Sequence, residues 1–266
     1  MGTEEKRTGT PSWGPTTLLI LETDGEIGAL VEDRLSPFKF SILQARSPDE
    51  VRGVASGTFP DIAIIGQPAS SAGVILWGEK LLAQAAGRET SLLLACQEMD
   101  PDLRKKCFAT GFYELLVKPL NISEVVELLL FHREMLFWQK TLRTHGVQVR
   151  IKRQEEGWLV SLHGALTIEL FPAIGQALSV FLRRGELSCC LDLDGITEID
   201  SAGLGALFNF WAQGRQSRRS LKIIANSREV REALELAKLD RVILGEGEEV
   251  GSLGELRITR DLRETE

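Results

Sequence analysis

Histidine is scarce in this 266-residue chain: there are three, His132, His145 and His163, and none stands beside a nucleophile it could serve. A zinc site or a Ser-His-Asp hydrolase therefore has no material to work with. Cysteine is sparse too. No pair among Cys96, Cys107, Cys189 and Cys190 has metal-ligand spacing, and the adjacent Cys189 and Cys190 would point to opposite faces of a strand. They read as buried thiols in a reducing compartment. No uninterrupted apolar run reaches about 18 residues, so no transmembrane helix is expected. The N-terminus, MGTEEKRTGTPSWGP, lacks the apolar stretch of a signal peptide, and Lys6 stands where a myristoylation signal wants Ser or Thr. These absences place the protein in the cytoplasm without membrane insertion. A basic excess is missing as well: 38 Asp+Glu stand against 31 Lys+Arg, a net charge of −7, which argues against nucleic acid as a partner. The cluster Arg215, Arg218, Arg219 reads as a solvated helix end.

What is present is a globular composition, 43% hydrophobic and 26% charged, which excludes disorder throughout, collagen and a disulfide scaffold. At roughly 100–200 residues per domain, the length allows two domains. From Thr17 to about Trp138 short apolar strands alternate with amphipathic helices. The strands are Leu18–Leu21, Phe38–Leu43, Ile62–Ile65, Leu92–Ala95 and Glu114–Val117. Between them Ile27, Leu30, Val31 and Leu35 follow helical spacing up to Pro37; Ser47-Pro48 and Asp100-Pro101 supply N-caps, with Val51 and Val54 facing inward after the first; and Gly111 closes a helix in the left-handed conformation. Strands alternating with helices in this way imply a parallel sheet covered on both faces.

The fifth helix is apolar on more than one face, from Val125, Leu128 and Leu129 through Phe131, Met135, Leu136, Phe137 and Trp138. Asn121 caps it, Glu124 completes a capping box, and from 122 to about 142 it would run roughly 30 Å. A homodimer or an interdomain seam would cover such a helix.

From Val147 onward the rhythm changes. Val147–Lys152 and Trp158–His163 read as a hairpin. A helix with Pro172 near its start and Gly185 past its end follows, its stripe being Ile174, Ala177, Leu178, Phe181 and Leu182. Then come a strand at Cys189–Leu193, a helix after Ser201 with Leu204, Leu207, Phe208 and Trp211 on one face, a strand at Leu221–Ala225, a helix capped by Ser227, and a strand around Arg241–Leu244. The expected organisation is a flexible tail over 1–15, a first domain over 16–138, a linker over 139–146 continuing the fifth helix, a second domain over 147–245, and an acidic, partly disordered segment over 246–266. The glycines of Gly203-x-Gly205 and Gly245–Gly251 do not make a nucleotide site, and no cofactor is expected.

Leu116-Val117-Lys118-Pro119 at the end of the fifth strand, followed by a capped helix, resembles the response-regulator receiver family, which implies a (βα)5 doubly wound, flavodoxin-like parallel sheet. The family's chemistry needs a carboxylate pair after the first strand to hold Mg²⁺ and an aspartate at the end of the third as phosphate acceptor. Here the first segment reads Glu22-Thr23-Asp24, and Gly66 stands at the acceptor position. Cys96 replaces the switch Thr/Ser, Leu115 replaces the usual aromatic, and Lys118 is a lysine without its phosphate. Asp61 lies about 16 Å away along the strand and cannot substitute. The resemblance thus implies a pseudo-receiver, a docking or dimerisation module that uses the 121–142 helix, with no resident metal.

The second domain resembles the STAS superfamily, and within it the anti-sigma-factor antagonists, on Leu191-Asp192-Leu193-Asp194-Gly195-Ile196-Thr197-Glu198-Ile199-Asp200-Ser201-Ala202-Gly203-Leu204 and on Leu162-His163-Gly164-Ala165-Leu166. Thr167 stands where the family has Asp. The resemblance implies an α/β sandwich with a mixed sheet. It also implies that Ser201 is phosphorylated by a partner serine kinase, the anti-sigma factor, and reset by a serine phosphatase. Partner contacts would come from Asp194, Thr197, Glu198, Asp200, Ala202 and Gly203, with Asp200 orienting the Ser201 hydroxyl and Gly203 allowing close backbone approach. The chain itself would catalyse nothing. Physics offers Ser201 two roles: a plain N-cap worth about 1 kcal/mol, or a modification point where free amides and the helix dipole hold a phosphate. The rival reading makes this domain a structural subunit of a lipid-transport ATPase or a stress-signalling complex, with Ser201 only a cap.

Overall fold

The computed structural model describes residues 15–23, 25–54, 59–66, 71–85, 89–98, 100–183, 188–217 and 220–244. The expected tail, Asp24, Gly185, Arg218, Arg219 and the acidic C-terminal segment lie outside the described residues.

The first half runs β1 (Thr16–Leu21), α1 (Glu26–Leu35), a 3₁₀ turn (Ser36–Phe38), β2 (Phe40–Ala45), α2 (Val51–Val54), β3 (Ile62–Gly66), α3 (Ser71–Ala85), β4 (Ser91–Cys96), α4 (Pro101–Thr110), β5 (Phe112–Val117) and α5 (Ile122–Thr144). Its five strands are parallel in the order β2-β1-β3-β4-β5. Every residue of β1, β3 and β4 is buried, because helices cover both sides of the sheet. The expected caps hold: the Asp100 side chain accepts from Asp102 N, and Gly111 ends α4 at φ 111°. Three local expectations do not hold. Phe38 belongs to the 3₁₀ turn, since Pro37 opens that turn and β2 starts only at Phe40. The helix after Ser47-Pro48 begins at Val51, after a run of turns. Leu30 is 45% exposed, because α1 meets the sheet through Ile27, Val31 and Leu35, and the intervening apolar position falls to the side of that stripe.

The second half runs β6 (Gln148–Arg153), β7 (Gly157–Leu166), a 3₁₀ turn (Ile168–Leu170), α6 (Phe171–Arg183), β8 (Ser188–Ile199), α7 (Ser201–Gln216), β9 (Leu221–Ile224), α8 (Arg228–Leu236) and α9 (Asp240–Ile243). The sheet order is β6-β7-β8-β9, with β6 antiparallel to β7 and the remaining pairs parallel, the mixed sheet expected. The segment expected as a strand near Arg241–Leu244 is the short helix α9. The chain reverses at Lys238 (φ 57°) and then closes its own helical bonds, Ile243 N to Leu239 O and Leu244 N to Asp240 O. On α7, Phe210 is in the core while Phe208 is 37% exposed, so the inward stripe is Leu204, Leu207 and Phe210.

Helix α5 joins the halves. Asn121 caps it by accepting from Ser123 N; the expected capping box is replaced by a side-chain bond from Asn121 Nδ2 to Glu124 Oε1 at 3.0 Å. Its buried residues extend from Val125 to Leu142. They join a single core that contains Leu18 and Ile20 of β1 as well as Trp158, Phe181 and Leu191 of the second half. Polar ties cross the same seam: Gln139 Nε2 donates to Val149 O, Tyr113 Oη to Ile151 O, and Arg183 pairs with Glu134. Arg153, almost fully buried, stacks over Phe108 and Trp158 and lies 4.0 Å from Glu114. Of the two coverings the sequence leaves open for this helix, the structure shows the interdomain seam. The apolar surface expected to carry a homodimer is taken up within the chain.

Candidate phosphorylation and partner-binding site

The receiver-type positions sit together at the carboxyl ends of β1, β3 and β5, but their chemistry is spent internally. Glu22 is buried, and its two carboxylate oxygens accept from Ile27 N at 3.0 Å and Gly28 N at 2.9 Å, so it caps α1. A Cβ placed on Gly66 would lie 2.8 Å from Glu22 Cβ, which leaves no room for an acceptor side chain. Thr23 is exposed. Lys118 Nζ pairs with Glu26 at 3.0 Å. Cys96 is buried, its Sγ directed at Leu116 O, and burial pushes its thiol up from the ordinary value. Asp61, at the far end of β3, holds Thr17 N and pairs with Lys140 of α5. Among the described residues no cluster of His, Cys, Asp and Glu could hold a metal ion.

The second site is built where β7, β8 and α7 converge. Asp200, not Ser201, is the N-cap of α7: its backbone is extended, and its Oδ1 accepts from Ala202 N and Gly203 N, both at 2.9 Å. Its Oδ2 accepts from Ile168 N at 2.7 Å, and its own N–H donates to Leu166 O. The expected link from Asp200 to the Ser201 hydroxyl is absent among the described residues, and the carboxylate is instead oriented by three amides. The amides expected to be free for a phosphate are the ones Asp200 holds. Ser201 is exposed at the first helical position, and among the described residues its hydroxyl has no hydrogen-bond partner. Gly203 does allow a close approach, but from within the fold: a Cβ there would lie 2.3 Å from Leu166 O.

The remaining expected positions divide. The segment from Asp194 to Ile199 is strand rather than loop, since β8 follows β7 through two irregularities as far as Leu166 opposite Ile199. Gly195 makes this pairing feasible, because a Cβ there would lie 2.3 Å from the His163 ring. Thr197 and Glu198 are exposed near the end of that strand. Asp194 is six residues up the strand from Asp200, about 20 Å of extended chain, and binds Asn226 through N at 2.6 Å and Nδ2 at 2.9 Å. It ties β8 to the loop after β9 and does not share the field at Ser201. Two residues that pattern reading missed stand here. Ile168 is 70% exposed beside Asp200, and Phe208, stacked on Trp211, is exposed about two turns along α7 from Ser201. Ile168, in a loop, leaves no periodic signal, and Phe208 was read as part of the inward face of its helix.

Residues 139–246 match the family model described as Mlab, STAS domain. This part of the chain is a STAS domain. No curated protein matches the chain. Among solved structures, the Vibrio cholerae chemotaxis protein CheY4 is similar over 44% of this chain and 98% of its own, at 19% identity and a TM-score of 0.40. A response regulator from Thermotoga maritima covers 45% of this chain and 98% of its own, at 12% identity and 0.40. An anti-sigma factor antagonist from Mycobacterium paratuberculosis covers 37% of this chain and 83% of its own, at 19% identity and 0.34. The strand order of the first sheet is that of the flavodoxin-like and receiver fold. The STAS domain supports a signalling role. No helix among the described residues is long and apolar enough to cross a membrane.

The three amides on Asp200, that of Gly203 foremost, hold its carboxyl below its ordinary value. A carboxyl depressed in the folded state contributes stability above its unfolded pKa, near ~4, and loses it as pH falls through the lower folded value. Asp200→Ala should therefore cost about 1 kcal/mol at neutral pH, and the gap to the native chain should close in acid. Urea midpoints across that pH range check this; a gap that stays constant would show that the charge is not involved.

Proposed function

We propose that the chain is a non-catalytic, cytoplasmic anti-sigma-factor antagonist that works by partner switching. In this reading an anti-sigma factor with serine-kinase activity binds the STAS domain around the start of α7, and phosphorylation of Ser201 releases it. A serine phosphatase restores binding. The observation that carries the reading is the division of labour at the helix start: Asp200 supplies the cap, which leaves the Ser201 hydroxyl exposed and unbonded. Modification at Ser201 therefore removes no cap and leaves the domain folded. A phosphate adds about −1.5 to −2 charges at pH 7. It would sit beside Asp200 and near Glu198 with no free amide cradle, so the edge facing the partner turns strongly negative. Ile168 and Phe208 would supply the apolar contact flanking the switch.

The rival reading, a STAS subunit or scaffold of a lipid-transport ATPase or stress-signalling complex, treats Ser201 as a helix cap, and that cap is Asp200. The test compares wild type, Ser201→Ala and Ser201→Asp as baits in the source cell, with the phosphorylation state read by mass spectrometry. A serine kinase should be held by wild type and Ser201→Ala and bound about tenfold or more weakly by Ser201→Asp, and phosphate should map to Ser201. Transporter or scaffold subunits held equally by all three would overturn the switch.

A further inference from the structure

A groove of about 370 Å³ opens where the two halves meet. Its apolar lining comes from both sides of the seam: Phe108 and Tyr113 from α4 and β5, and Leu159 from the hairpin, beside Ile151, whose side chain packs on the shared core. Its rim carries Arg150 and Lys152, alternate residues of β6 that pair with Ser161 and Leu159 of β7 and so project to the same face. Both cations are exposed, and among the described residues neither has an ion-pair partner. Among the described residues no carboxylate lines the groove; Asp192 approaches through Ser161, whose Oγ donates to it at 3.1 Å. The seam holds the shape in place, since Tyr113 Oη donates to Ile151 O at 3.2 Å and Arg104 to Glu155 O at 3.2 Å.

An apolar cleft at a domain junction with a few convergent polar groups is the usual form of a small-molecule site. Here the charged groups are both cationic and sit at one edge of the apolar lining, with the Ser161 and Tyr113 hydroxyls already bonded to Asp192 and Ile151 O. We propose that this interdomain groove binds an anionic amphiphile, a carboxylate or acidic head held by Arg150 and Lys152 with its hydrocarbon laid over Phe108, Tyr113 and Leu159. Such a ligand would bridge the receiver-type half and the STAS half, so its occupancy would be linked to the seam's stability.

Decanoate is a suitable probe, titrated calorimetrically into the full chain. Saturable binding is expected, about tenfold weaker in Arg150→Gln/Lys152→Gln and weaker in high salt. Ala109→Trp, at an exposed position on the groove's edge, should block binding while changing no charge. Far-UV circular dichroism and the melting temperature confirm that each variant is folded. Phosphatidylglycerol vesicles run in parallel separate the sources of such a chain. Vesicle capture abolished by the same substitutions assigns the site to an acyl lipid, and decanoate binding without vesicle capture assigns it to a free carboxylate. Binding indifferent to both substitutions, or no saturable binding of either probe, overturns the proposal.

Discussion

Trp158→Ala will cost about 3–5 kcal/mol and will weaken both halves of the protein together. Trp158 is 1% exposed and stands where the hairpin meets the first half. Its ring lies 5.8 Å from those of both Tyr113 and Phe131, and 6.1 Å from Phe181. Removing it opens a cavity walled by β5, α5 and α6 at once, and three rigid elements cannot all close on it. Urea unfolding followed by tryptophan fluorescence and by far-UV circular dichroism should give one coincident transition for the native chain and an earlier, still coincident one for the variant. Trp158→Phe, which keeps a ring in the site, should recover more than half of the loss. Two separated transitions, with only one shifted, would show that the halves fold independently and that the shared core is a mere contact.

Gly66→Asp, which puts an acceptor residue back at the end of β3, will not restore receiver chemistry and will cost about 3 kcal/mol or more. The new Cβ would meet Glu22 Cβ at 2.8 Å, and the new carboxylate would enter a buried site beside a carboxylate already bound to Ile27 N and Gly28 N. Lys118, the group that would meet a phosphate, is engaged with Glu26. Incubation with acetyl phosphate and Mg²⁺ should leave both native and variant chains unlabelled, and Gly66→Ala should show the steric part of the loss without the charge. Stoichiometric labelling of the aspartate variant would mean that the site is one residue short of active and that its groups are not committed elsewhere.

Apart from the last element, α9, the strand and helix order, the parallel sheet of the first half and the mixed sheet of the second were legible from sequence. Each rests on a short-range rule: alternation for strands, three-to-four spacing for helices, Asp100-Pro101 and Gly111 as punctuation. That the end of β3 carries no side chain for chemistry was legible for the same reason, since Gly66 has none in any fold. The Asp200-Ser201 pair marked a helix start as plainly. Which of the two caps α7 was not legible, because both residue types cap well. Asp200 is selected by Leu166 O and Ile168 N, more than thirty residues upstream, and that choice leaves Ser201 exposed.

The sequence alone determined two domains, their fold classes, the glycine at the end of β3 and the serine at the start of a helix, because each follows from residue type and local period. Only the tertiary structure decided the rest. It turned Glu22 into the cap of α1, removed Asp194 from the neighbourhood of Ser201, and covered the apolar faces of α5 with the chain's own second half. These outcomes depend on which distant surfaces meet, and an apolar helix face specifies that it must be covered without specifying by what.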